Sequence, residues 1–82
     1  MDSAGRRLRA GDMIQVVKIA FDDVPIFEKV ARLDSTLKTV ARAKQGEIMM
    51  YLGNQDENLG MLQVLVRGVT GWIYGYVVEK VR

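Results

Sequence analysis

Cysteine and histidine are both missing from these 82 residues, and proline occurs once, at Pro25. Without cysteine there is no thiol nucleophile, no disulfide staple and no thiolate metal ligand. Without histidine the usual general base at neutral pH is gone, and with it the common zinc sites. Neither sign of charge dominates: twelve Lys or Arg stand against ten Asp or Glu. No apolar run approaches the roughly 18 residues of a membrane-spanning helix. The arginines near the N-terminus are not followed by the apolar stretch of a secretion signal. Carboxylates, lysines and tyrosines are all that is left for acid–base chemistry, so the sequence predicts a protein that is not an enzyme and uses no metal or cofactor.

What is present suits one small folded unit. Apolar residues make up 49% of the chain and charged residues 27%, the balance of a globular domain. A chain of this length buries only about 60% of the surface its unfolded form exposes, so a small core must serve without cross-links. The net charge of +2 belongs to the first ten residues, where Arg6, Arg7 and Arg9 face Asp2 alone. The rest is balanced. Residues 1–10 therefore read as a flexible basic tail and 11–82 as the domain. Such a tail is a solvated end or linker in one reading and an arm for phosphate in the other.

The run from Asp12 to Phe21 is rich in β-branched and apolar residues and reads as a strand, apolar on both alternating faces. Phe21-Asp22-Asp23-Val24-Pro25 then reads as a break, since Pro25 cannot donate to a central ladder. Asp22 and Asp23 point apart in extended chain and read as a solvated loop. Over 26–45 the periodicity leaves two options open. Ile26, Val30, Leu33, Leu37 and Val40 fit one face of a helix, whereas Thr36, Thr39 and Val40 favour a strand leading to the turn at Gln45-Gly46. Beyond Gly46, strands are predicted at 47–52, 61–67 and 72–76, joined by a polar loop and a glycine-bounded turn, with a last segment at 77–81. In this order they make an antiparallel meander. A chain too short for two sheets hides its edges most economically by curling into a barrel.

The order of Lys44-Gln45-Gly46, Met61 to Val66, Gly71-Trp72-Ile73 and Tyr76-Val77 resembles the bacterial SH3 family. That family's pattern runs from a strand ending in a basic pair and glycine, through two strands and a loop, to Gly-Trp-Ile and a closing Tyr-Val. The resemblance covers roughly 12–82 and implies an all-β fold, a small five-stranded SH3-like barrel built as an antiparallel meander. It favours extended chain over 26–45, since a glycine turn at Gln45-Gly46 between two runs that can pair reads as a hairpin; the alternative is an α+β fold with one helix within 27–45. The stretch Val24-Pro25-Ile26-Phe27 departs from the family's Asn-Val-Arg and Gly-Pro pattern. Met61 stands where the eukaryotic relatives place a tryptophan, and a flexible methionine offers no flat face for a polyproline helix.

The resemblance implies a non-catalytic interaction module, part of a larger protein or assembly, that takes a protein or cell-wall peptide ligand. It leaves the compartment open between bacterial envelope and cytoplasm. Candidate contact residues are Phe21, Met61, Trp72, Tyr74 and Tyr76, because aromatic groups bury large area at low entropic cost. The competing reading places Trp72 and Phe21 inside the core. A further alternative is a small nucleic-acid-binding barrel using Arg6, Arg7 and Arg9 with tyrosines for stacking. Apolar residues on both faces of 12–21 and 61–67 predict that a neighbouring domain, a partner or a second copy covers the outer set.

Overall fold

Each strand of this chain alternates an apolar inward set with a mixed outward set, and the inward sets converge on one core. The computed structural model describes residues 8–17, 23–29 and 38–81. Within these lie strands β1 (Met13–Val16), β2 (Asp23–Phe27), β3 (Thr39–Lys44), β4 (Ile48–Asp56), β5 (Met61–Val66), β6 (Val69–Tyr74) and β7 (Val78–Lys80), with a 3-10 turn at Gly75–Val77 before the last. The protein is all-β, and every strand pair is antiparallel. The order across the sheet is β3-β2-β6-β5-β4-β1-β7.

This order corrects the expected five-stranded closed barrel. The described sheet has seven strands and two free ends, β3 and β7. One strand not expected from the sequence, β2, comes from the stretch around Pro25 that reads as a loop. Pro25 sits inside β2 opposite Arg42, while β2 meets β6 only at Phe27 opposite Trp72. At Pro25 one side of the strand has no partner, so a residue without an N–H costs no ladder bond there. Asp23, expected in a solvated loop, instead pairs with the Arg42 guanidinium at 2.8 Å. Among the described residues there is no α-helix, and Thr39–Lys44 of the ambiguous stretch is strand; 30–37 lie outside the described residues.

The meander β4-β5-β6 stands as read. Its second turn is tighter than the glycine spacing suggests: Val66 pairs with Val69, leaving Arg67 (φ 48) and Gly68 (φ 78) as the two turn residues. Two consecutive positive φ values make the turn type that matches strand twist. The turn at Gln45-Gly46 is not a hairpin. β3 pairs with β2, whereas β4 pairs with β1 and β5, so the two strands leave the turn in different directions. Gly46 (φ 90) instead donates its N–H to the Val16 carbonyl at 2.7 Å, and Val16 returns a bond to Glu47 at 3.0 Å. The glycine joins the turn to β1.

The core gathers Ile14 and Val16 from β1, Val24 and Ile26 from β2, Leu62, Val64 and Val66 from β5 and Ile73 from β6, with Met49, Tyr51, Val77 and Val78 around them. Gly71 is buried where β2 crosses β6; a Cβ there would lie 2.5 Å from Ile26 Cγ2 and 2.9 Å from the Phe27 carbonyl oxygen. Only glycine lets the two strands approach this closely. Residues 8–10, counted on sequence grounds with the basic tail, also join the body. Leu8 packs against the core, and Gly11 and Asp12 exchange backbone hydrogen bonds with Tyr51 at 2.8 Å each.

Candidate functional site: an outward aromatic ledge

The feature that stands out from the surface is built where β2, β6 and the 3-10 turn meet. β6 places Gly71 and Ile73 inward, so Trp72 and Tyr74 face outward. Register sets Phe27 directly opposite Trp72 and Tyr74 opposite Met61. The chain then tightens into the 3-10 turn, which turns Val77 into the core and leaves Tyr76 outside. The Gly75 N–H donates to the Gly60 carbonyl at 2.7 Å, tying this turn to the loop that precedes β5.

The rings form a continuous series. Phe27 and Tyr74 meet edge to face with centroids 5.8 Å apart, and Tyr74 and Tyr76 lie 5.5 Å apart at a tilt of 30°. Such pairs contribute about 1 kcal/mol each beyond the area they bury, which holds the rings in place relative to one another. Tyr76 remains 77% exposed. Phe27, Trp72 and Tyr74 are half-buried. An exposed ring braced by half-buried neighbours is a contact surface formed in advance, with little ordering left for a ligand to complete.

The candidate residues separate clearly. Trp72, Tyr74 and Tyr76 come together on this ledge. Trp72 is neither a fully buried closing residue nor a free surface ring: it is half-buried on the outward side of β6, opposite Phe27. Met61 is 1% exposed and lies beneath the ledge opposite Tyr74, so it supports the rings and offers no surface of its own. Phe27, not among the candidate residues, belongs to the ledge. Its signal was its odd-numbered place in β2, beyond Pro25, with Val24 and Ile26 facing in. Phe21, Arg6 and Arg7 lie outside the described residues. Arg9 is exposed, its N–H given to the Asp12 carboxylate at 2.8 Å.

Charge surrounds the ledge without converging on it. Arg42 is matched by Asp23 and Arg67 by Glu47, and Lys80 lies 3.5 Å from Asp12. Asp12 is held below the usual carboxylate range chiefly by the Arg9 N–H; burial opposes this, and the Lys80 charge adds to the lowering. Burial pushes the Tyr51 hydroxyl up. Among the described residues no group of three His, Cys, Asp or Glu is placed to hold a metal ion, and no helix is long and apolar enough to cross a membrane. No protein-family model, curated protein or solved structure matches this chain.

Proposed function

We propose that this protein is a non-catalytic interaction module of bacterial SH3 type, and that the Phe27-Trp72-Tyr74-Tyr76 ledge is where it holds an extended protein or cell-wall peptide. The observation that carries the reading is Tyr76: a large ring 77% exposed yet fixed by contact with Tyr74. A tyrosine so placed gains area only when something covers it. Exposed and rigid aromatic groups are the typical anchors of peptide contacts.

Strand order supports the family part of the proposal. β1 lies between β4 and β7, so the first and last strands are neighbours, as a curled meander requires. In this reading β3 is the strand that the family places before its glycine turn, and the chain from β2 to β3 occupies the place of the family's long loop. Gly71-Trp72-Ile73 acquires a physical reason from the same arrangement: glycine for the crossing of β2, tryptophan outward, isoleucine inward.

Calorimetric titration of the whole chain with soluble peptidoglycan fragments and with apolar peptides tests this. Binding of one of these classes is expected, weakened at least about tenfold by Tyr76→Ala, a loss in the range of an aromatic anchor, and little changed by salt. Steep loss of affinity with salt for an oligonucleotide, with no response to either peptide class, would replace the reading with the nucleic-acid one.

A further inference from the structure

The centre of the outer face of β1, β4, β5 and β6 is without charge, bordered by Asp56 at the end of β4 opposite Met61 and by Glu79 of β7 opposite Gln15. Although 27% of the chain is Asp, Glu, Lys or Arg, positions 13–16, 48–52, 61–66 and 69–74 contain none of them. Inward positions explain half of this. The outward half has no such explanation, because solvent-facing strand positions ordinarily carry charge and so resist edge and face association. Register gathers the outward apolar residues into one stripe: Met13 lies opposite Met50, and Met50 opposite Leu65. Ile48 follows on β4 opposite Gln15. Met13 is 40% and Ile48 48% exposed.

Two glutamines flank the stripe, and their hydrogen bonding is unequal. Gln15, on β1, gives its amide N–H to the Gly46 carbonyl at 3.4 Å, which leaves its carbonyl oxygen as an acceptor. Gln63, on β5, accepts from the Asn54 amide at 2.6 Å, which leaves its own NH2 as a donor. The acceptor and the donor stand on opposite sides of Met50. A two-fold axis passing near Met50 brings the Gln15 carbonyl of one copy toward the Gln63 amide of the other, twice. A closed two-fold interface needs this kind of self-complementarity, in which residue i meets j and j meets i.

We infer that a second copy of this chain covers the face, in a two-fold dimer centred on Met50 and bordered by reciprocal Gln15–Gln63 hydrogen bonds. An uncharged centre is well matched to itself, since near the axis symmetry sets no like charges against each other. Methionines at the centre adapt their shape to their own mates. The interface lies beside the aromatic ledge and does not need it, so the two proposals stand or fall separately.

Sedimentation of the full chain across a concentration series is the test, with Met50→Lys, Met50→Glu and their equimolar mixture run beside the wild type. The wild type is expected to shift from monomer to dimer as concentration rises. Each single variant is expected to weaken association about a hundredfold, as like charges meet near the axis, and the mixture to recover it. Ile48→Lys, at an exposed position, is the second variant should Met50 substitutions disturb folding, and circular dichroism verifies the fold of each. A wild type that stays monomeric at millimolar concentration overturns the inference. So does a dimer that persists in the lysine variants, or a mixture that fails to recover association.

Discussion

Arg67 ion-pairs with Glu47 across the sheet, from the turn between β5 and β6 to the chain that leaves β3. The same guanidinium donates to the Arg42 carbonyl at 2.7 Å, and the second Glu47 oxygen accepts the Lys44 N–H at 3.1 Å. Arg67 does this from a left-handed backbone, φ 48, a conformation that costs a non-glycine residue about 1 kcal/mol. Glu47→Ala removes the ion pair and the acceptor for Lys44, and is expected to lower the free energy of unfolding by about 1 kcal/mol. Arg67→Gly loses the pair but relieves the backbone, so its net effect is expected to stay within about 0.5 kcal/mol. Urea unfolding of the two variants measures both; equal losses would contradict the compensation.

Two glycines separate crowding from backbone conformation. Gly71→Ala drives a methyl into Ile26 and the Phe27 carbonyl and is expected to cost about 2 to 3 kcal/mol. Gly46→Ala meets nothing within 4 Å, so only its φ of 90 opposes the substitution, at about 1 kcal/mol. Thermal denaturation should rank the variants in that order. The reverse order would show that β2 and β6 are not in contact at Gly71.

Stability is expected to fall at both ends of the pH range, for different reasons. The folded-state pKa of Asp12 lies below the ordinary carboxylate range, so its contribution is present above the unfolded-state pKa and is lost as pH falls through the folded one. Asp12→Asn should flatten the acid limb only slightly, because its ionic partner Lys80 is about half exposed and solvent screens the pair. Tyr51 has a folded-state pKa above 10.0: its contribution is complete below pH 10 and is lost as pH rises above it. The Tyr51 side chain is buried, at 4% exposure, and its hydroxyl makes no hydrogen bond among the described residues. Tyr51→Phe is therefore expected to leave stability at neutral pH unchanged or slightly higher, and to remove the alkaline loss. Unfolding midpoints across pH, read for both variants, check the two limbs.

The fold was legible where a strand alternates cleanly between short turns. Leu62, Val64 and Val66 face Gly71 and Ile73 as the alternation of β5 and β6 requires, and the meander follows from it. It was not legible at Pro25. There the rule that proline avoids central ladders holds, but the sheet leaves one side of β2 open, which only the three-dimensional arrangement reveals. The turn at Gln45-Gly46 misled for a related reason: a glycine turn between two strand-forming runs predicts pairing, and nothing local records that Val16 competes for the Gly46 N–H. Within the ledge, Trp72, Tyr74 and Tyr76 were readable from strand parity and the Tyr-Val ending. Phe27 was hidden by the apparent break before it. Met61 shares the outward face with Tyr74 opposite it yet is 1% exposed; alternation gives the face of a residue but does not record that it is buried there.

The direct test of the ledge uses the chain's single tryptophan. Trp72 stands opposite Phe27, so its fluorescence reports on whatever covers that surface. Titrating soluble peptidoglycan fragments and apolar peptides into the protein should give a saturable blue shift with one of them, absent in Tyr76→Ala although that variant keeps the wild-type circular dichroism. A saturable response that is the same in wild type and Tyr76→Ala would place the contact elsewhere and contradict the account, as would tight binding of either class with Trp72 emission unchanged.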